Sequence, residues 1–455
     1  MSPAALLCWT LCLLATSAAQ APGFWNVTFD PPAVLGLRTG SQAQVVLTAG
    51  EVPVDGEPQL WLAVARGGRV VSVGPPTALV RSDAGWTSAF NVTGNFLGYA
   101  TLRAQLSAAS GEAAVAESRD LEVTVIRQDR AIDHAFTGSV IVLVSVLYVN
   151  FGCAVDWAAF RSTVRRPVGP LIGFVTHFLF MPLISFGLAR LLFPDSVALQ
   201  LGLFFTGVSP AGGASNIWTL VLGGNVALSI TMTTISTFAA FGMMPLWIFT
   251  LGRVIFRQGN LEVPYVRIAS LAVGLLIPLG VGFLVQRYLP RVAKVMARAL
   301  KPFALLLLVF IVVFAIVTNV YLFELFTWRI LVAGMGLPWL GYLSGAILGR
   351  VLQQPPADVL AISIETGLEN TGISIFLLRV ALEQPEADLT TVVPVAVAIL
   401  TPIPLMLLYA LKLCKERFDA RHRIQFDAED AEKMTIIHPG TYSRLHEMQP
   451  VLASR

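Results

Sequence analysis

Residues 361–376 read Ala-Ile-Ser-Ile-Glu-Thr-Gly-Leu-Glu-Asn-Thr-Gly-Ile-Ser-Ile-Phe, an apolar run that carries two acids, Glu365 and Glu369, and a glycine, Gly367. Upstream, residues 209–216 read Ser-Pro-Ala-Gly-Gly-Ala-Ser-Asn and interrupt a second apolar run. A carboxylate inside a membrane costs roughly 2.5–3.5 kcal/mol even on the lenient insertion scale, so it marks an ion or substrate path by default. Backbone leaves the helix at membrane depth only where it is buried in protein or lines a wet cavity. Breaks at Pro210, Gly212 and Gly213, and again at Gly367 and Asn370, one in each half of the chain, form the pattern of a transporter's midplane site.

The rest of the composition agrees. Of 455 residues, 55% are hydrophobic and only 13% charged, and the mean hydropathy is +0.71. A soluble chain carries about 25% charged residues, so most of this surface must face lipid. The net charge of +3 comes with no basic stripe interleaved with aromatics, which argues against nucleic acid. The cysteines, Cys8, Cys12, Cys153 and Cys414, show neither a disulfide framework nor zinc spacing. No nucleophile–base–orienter set is visible either, so an enzyme and a bound cofactor are not expected.

Residues 1–19 read as a secretory signal, an apolar run Ala4–Ala15 followed by Ser17-Ala18-Ala19. Residues 20–132 are polar, with short alternating runs at 44–48, 60–64, 70–73, 99–106 and 121–125, the spacing of a small cysteine-free β-sandwich. The glycosylation sequons at Asn26 and Asn91 fit an extracellular, lumenal domain. A transmembrane transporter domain then occupies 136–413, an all-α polytopic region with about nine helices: 136–156, 168–192, 197–221, 226–251, 268–288, 303–323, 328–350, 357–381 and 387–412. Each is long enough to cross a hydrocarbon core about 30 Å thick. Arg161, Arg165 and Arg166, then Arg291, Lys294, Arg298 and Lys301, then Lys412, Lys415, Arg417, Arg421 and Arg423, fall on one side; loop residues Arg253, Arg257, Arg267 and Arg329 fall on the other with Glu383, Glu386 and Asp388, the 252–267 loop being a mild exception. That asymmetry predicts an extracellular N-terminus and a cytoplasmic C-terminus in a multi-pass membrane protein, most simply of the plasma membrane. The tail 414–455 is charged and reads as disordered; Tyr442-Ser443-Arg444-Leu445 matches a sorting-adaptor pattern.

Hard oxygen donors surround the breaks: Ser215, Asn216, Ser229, Thr233, Glu365, Thr366 and Asn370. Ser229 and Thr233 are spaced i, i+4 and share one helix face. Hydroxyls, an amide and one carboxylate suit a hard cation such as Na⁺. Small hydroxyl residues also serve close packing and bond back to the preceding turn, the structural reading of Ser229 and Thr233 taken alone.

The stretches 209–216 and 224–234, with Phe180-Met181-Pro182-Leu183, Met243-Met244-Pro245-Leu246 and Glu365-Thr366-Gly367-Leu368-Glu369-Asn370, resemble the bile acid:sodium symporter family. The match is collinear over about 140–415 and resembles the nine-span branch of hepatic and ileal bile-acid carriers, which lack the lumenal domain. The resemblance implies inverted repeats, a core bundle of spans 2, 3, 4, 7, 8 and 9 holding two crossing broken helices, and a panel of spans 1, 5 and 6. It implies one sodium site from Ser215, Asn216, Ser229, Thr233 and Glu365. A second would use Glu365, the backbone near Thr366 and Leu368, and the positions of Glu369 and His177. The family usually has glutamine at those last two positions, so a neutral amide pair has become an acid–base pair. Protonated His177 could then replace the second cation, Glu369 could bind sodium more strongly, a proton could be the coupling ion, or the two could form a structural bridge.

The implied function is sodium-driven symport of an amphipathic organic anion, such as a bile acid or sterol conjugate, by alternating access. The alternatives are a proton-coupled organic-anion transporter using His177 and Glu369, and a non-transporting receptor or scaffold with the transporter fold.

Overall fold

The computed structural model describes residues 23–53, 59–82, 85–107, 114–128, 130–155, 157–165, 167–259, 261–318 and 325–418. The expected signal (1–19), nearly all of the charged tail and Tyr442 lie outside the described residues. Contacts divide the chain into two units, one running to Gly138 and including 378–389, the other comprising 139–377 and the residues from Thr390 on.

The first unit is built on two sheets. One runs Gly23–Phe24, Ala116–Glu117, Gly98–Ser107, Leu121–Ile126, Val34–Arg38, with Gln59–Arg66 also paired to Gly98–Ser107. The other runs Val27–Asp30, Gln42–Ala49, Gly85–Gly94, Val71–Val73, with Val80–Ser82 also on Gly85–Gly94. Strict alternation sends Val45, Leu47 and Ala49 inward from one strand and Ala100, Leu102, Ala104 and Leu106 from another, and these join one buried cluster. Trp25 lies in that cluster, and its indole donates to the Glu51 carbonyl (2.9 Å), so its one polar atom is satisfied. The five alternating runs of the sequence each fall in a strand, and Asn26 and Asn91 are both exposed.

The helices, in chain order, are α1 (Ala131–Ala154), α2 (Trp157–Val164), α3 (Val168–Leu192), α4 (Val197–Gly207), α5 (Ser215–Leu222), α6 (Val226–Gln258), α7 (Tyr265–Tyr288), α8 (Pro290–Thr318), α9 (Trp328–Val351), α10 (Pro356–Gly367), α11 (Thr371–Ala381) and α12 (Glu386–Phe418). Among the described residues, α1, α3, α6, α7, α9 and α12 are long and apolar enough to cross a membrane. The outer face of α7 shows why water is not its solvent: Val266, Val273, Ile277 and Leu284 stand 57–82% exposed on one helix. Helix α6 runs on to Gln258, so Arg253 and Arg257, read from the sequence as loop residues, lie on its last turns.

Two of the expected spans are each divided into a pair of short helices, α4/α5 and α10/α11, and both interruptions fall where the sequence placed them. Two longer helices carry a wide π turn beside a proline: Thr176–Phe180 in α3, just before Pro182, and Ile248–Gly252 in α6, just after Pro245. Proline removes a backbone donor and crowds the preceding turn, and in α3 the wider turn ahead of Pro182 absorbs both effects. Close helix approaches use missing side chains. A Cβ on Gly152 of α1 would sit 2.8 Å from the Gly282 Cα of α7, and the reverse also holds.

Gly367 ends α10 against α9, where a Cβ would lie 2.6 Å from the Pro338 carbonyl and overlap the Tyr342 ring. Gly213 is different: only the Phe151 ring, at 3.9 Å, comes within 4 Å of its added Cβ. Gly367→Ala should therefore destabilise the protein by about 1–3 kcal/mol through overpacking, whereas Gly213→Ala should stay within about 0.5 kcal/mol of wild type. Thermal unfolding of the purified variants in detergent checks both.

Candidate functional site

The two interruptions touch. Ala211 and Glu369 form an antiparallel bridge, in which Gly212 N donates to Leu368 O (2.7 Å) and Asn370 N donates to Pro210 O (2.8 Å). Gly212 is needed there, because a Cβ would come to 3.0 Å from the Glu369 carbonyl. Ala211 N donates to Ser236 Oγ (2.8 Å), and Asn370 Oδ1 accepts from Ile373 N (3.2 Å) to cap α11. Each break thus supplies backbone partners that the other lost on leaving the helix. Farther along, Asn225 fixes α6 against α10: its N–H donates to Ala357 O (2.9 Å) and its amide to Asp358 Oδ1 (2.7 Å).

That frame gathers the first group of expected residues. Glu365, 3% exposed in the last turn of α10, has Oε1 2.5 Å from Thr233 Oγ1 and Oε2 3.0 Å from Ser229 Oγ. Asn216, in the first turn of α5, places Oδ1 2.8 Å from Ser229 Oγ and 3.4 Å from Thr233 Oγ1. Ser215 Oγ is buried without a hydrogen-bond partner. The donor count is short. Each hydroxyl has one proton, so Ser215, Ser229 and Thr233 offer three against four acceptors: both Glu365 oxygens, Asn216 Oδ1 and the Ser229 carbonyl (3.0 Å from Thr233 Oγ1). The donor set of this acceptor-rich pocket, hydroxyls, an amide oxygen and a carboxylate, is of the kind that suits a hard cation such as Na⁺.

The second group is assembled as well. His177, in the π turn of α3, donates from Nε2 to the Ser209 carbonyl (2.9 Å), and the same nitrogen lies 3.5 Å from Glu369 Oε2. That bond puts a proton on Nε2, while Nδ1 and both Glu369 oxygens are buried with no hydrogen-bond partner. The Leu368 carbonyl already accepts from Gly212, which leaves it one lone pair for any ion. Thr366 uses its hydroxyl elsewhere, on Ile362 O (2.8 Å) and against Thr176 Oγ1 (2.7 Å). Glu369 is therefore a buried acid beside the His177 imidazole and the Ser209 hydroxyl, and a buried carboxyl is stable only when paired or protonated.

Several contributors were not anticipated. Ser236 continues the Ser229/Thr233 face by three more residues and could have been found from that spacing. Thr219 donates to Ser229 Oγ (3.3 Å). Trp247 donates from its indole to the Phe178 carbonyl (2.7 Å), the acceptor four residues before Pro182 that the missing proline N–H leaves free. Neither residue has a sequence signal, because each is defined by a partner on another helix. Beside the crossing, a cleft reaches His177, Ser236 and Glu365 past Phe174 and Met232. A shallow apolar pocket lies between Tyr148 of α1, Phe241 and Met244 of α6, Leu275 of α7 and Leu377 of α11.

Comparison with known proteins matches residues 140–324 to the sodium bile acid symporter family. The human P3 protein is 33% identical over 260 residues, 56% of this chain and 54% of its own length. The rabbit (Oryctolagus cuniculus) ileal sodium/bile acid cotransporter is 31% identical over 253 residues, 55% of this chain and 71% of its own. The rat (Rattus norvegicus) hepatic sodium/bile acid cotransporter is 29% identical over 255 residues, 55% of this chain and 70% of its own. The chain spans about half the length of the P3 proteins it matches.

Replacing Trp247 tests how the π turn is held. Trp247→Phe should cost about 1–3 kcal/mol, the penalty of a buried carbonyl left without its donor, read as a lower unfolding midpoint of the purified protein.

Proposed function

Because the chain belongs to the sodium bile acid symporter family, a family of transporters rather than enzymes, we propose that it carries an amphipathic organic anion across a membrane, driven by sodium. The observation that carries this reading is the excess of oxygen acceptors around the Glu365 carboxylate, where Ser215, Asn216, Ser229 and Thr233 converge. Sodium there would tie the first turn of α5 to the last turn of α10. Both half-helices would then be locked in the crossing that Gly212 and Asn370 begin. The helices α3, α4/α5, α6, α9, α10/α11 and α12 make up the core, and α1, α7 and α8 the panel, nine spans in all. Rocking of one against the other exposes the site to alternate sides.

The substrate's apolar body would lie against the apolar surface of Tyr148, Met244 and Leu275, where panel and core helices meet. Its acidic group is favoured by the partial positive charge at the N-terminal ends of α5 and α11. Glu369 takes part in a second cation site, with Glu365 and the backbone near Thr366 and Leu368. Its contact with His177 favours one variant reading, that the ion taken up there is a proton. The two sheets form an extracellular sandwich that follows a cleaved signal, with the C-terminus in the cytoplasm.

Uptake of radiolabelled taurocholate and a sterol sulfate, in cells at the plasma membrane with choline replacing sodium, is the direct test. Uptake should require sodium, and Glu365→Gln should reduce sodium-driven uptake by about tenfold to a hundredfold, the loss of one charge-assisted contact. Uptake that follows an inward proton gradient and ignores sodium would favour the proton reading. A chain that reaches the surface yet takes up neither compound would favour a receptor. Peptide N-glycosidase should shorten the apparent mass of the mature protein, and the Asn26→Gln, Asn91→Gln double variant should abolish that shift.

A further inference from the structure

At the junction of the β domain with the helices, five charged groups alternate in sign. Arg130 pairs with Asp133 (3.0 Å), Asp133 with Arg127 (3.1 Å), Arg127 with Asp388 (3.6 Å), and Asp388 with Arg379. Arg127, Asp388 and Arg379 are nearly buried. Arg127 follows the last strand of the β domain, Asp133 lies in the first turn of α1, Arg379 in the last turn of α11 and Asp388 in the first turn of α12. Two further contacts fix the β domain on the same hairpin: Tyr99 donates to Glu386, and Arg127 N donates to Gln384 Oε1 (3.1 Å).

Chemistry at the candidate ion site does not use any of these groups. Burying charge is costly, and a buried ionic cluster is often no more stable than apolar packing of the same volume; its best-attested role is to specify a register or a switch. The position identifies which register. Asp133 starts a panel helix, whereas Asp388 and Arg379 flank the loop between two core spans, and one guanidinium holds the two sides together.

We propose that Arg127 is a gating latch on the β-domain side of the carrier. It joins the first turn of α1 to the first turn of α12 while that side is closed, and releases one of them whenever core and panel part there. The proposal rests on the alternating-access reading above. A single arginine side chain cannot follow two acids that separate by more than a few ångström, so opening on this side breaks either the Asp133 or the Asp388 pair. Seated on the hairpin through Tyr99 and Gln384, the β domain reinforces the closed position.

Two measurements on the full chain test the latch. Asp133→Asn and Arg127→Gln each weaken it, so the state open to the β-domain side becomes more populated, and a ligand that binds the open state gains apparent affinity in proportion. At equal surface amounts, the sodium concentration for half-maximal taurocholate uptake should fall about threefold or more. A merely structural role would reduce the amount of protein and leave that concentration alone, and an unchanged sodium constant in both variants overturns the latch. In a chain with Cys153 and Cys414 changed to alanine, the pair Asp133→Cys and Asp388→Cys, the two acids that one guanidinium joins, should be locked by a short bifunctional thiol reagent. Uptake should stop on cross-linking and return on reduction, while a monofunctional reagent has no such effect. Full uptake by cross-linked protein also overturns the latch. Absence of sodium-driven uptake in the unmodified chain instead overturns the transporter reading itself.

Discussion

Two interrupted helices persist inside an apolar bundle only if the backbone groups freed at each interruption find partners. Here they find each other. Gly212 N and Pro210 O on one segment meet Leu368 O and Asn370 N on the other, and the bridge pins the two breaks at one point. In lipid, each unmatched group would cost several kcal/mol, so this crossing has few alternatives. Everything chemically interesting in the helical unit lies within a turn or two of it, because that is where half-helix ends and free carbonyls occur.

The crossing also explains the placement of charge. Glu365 stands in the last turn of α10 and Asn216 in the first turn of α5, so the bridge that joins the breaks also delivers the carboxylate to the amide. Helix α6 then supplies Ser229 and Thr233 from one face, held in register with α10 by the bonds of Asn225. A symmetrical need is met differently on the other side of the break. Glu369 meets the imidazole of His177, carried on the π turn of α3, as well as the Ser209 hydroxyl. One buried acid thus faces oxygens alone, and the other an imidazole as well.

Much of this was legible in the chain. Glycine, proline and small polar residues at 209–216 and 365–370 located both breaks, and the spacing of Ser229 and Thr233 located the face that meets Glu365. The short alternating runs before residue 126 were found in strands. What stayed hidden depends on partners distant in sequence. The indole of Trp247 is an ordinary apolar-helix residue until Pro182 leaves a carbonyl for it. Gly212 and Gly213 look equivalent as letters, yet only the first faces a backbone carbonyl at 3.0 Å. Arg127 and Asp388 are 261 positions apart, and nothing local marks them as a pair. Sequence reports local conformational need well; it does not report which distant group will meet it.

Sodium-dependent stability of the purified protein tests the central claim most directly, because it requires neither a substrate nor a working transport cycle. An ion that binds only the folded state stabilises it by about 1.4 kcal/mol at a tenfold excess over its dissociation constant, a rise of roughly 1–4 °C in the unfolding midpoint. That rise should appear in sodium chloride but not in choline chloride of equal ionic strength, and should vanish in both Asn216→Ala and Glu365→Gln. An unfolding midpoint that is the same in the two salts, or a sodium-dependent rise that survives Glu365→Gln undiminished, would contradict it.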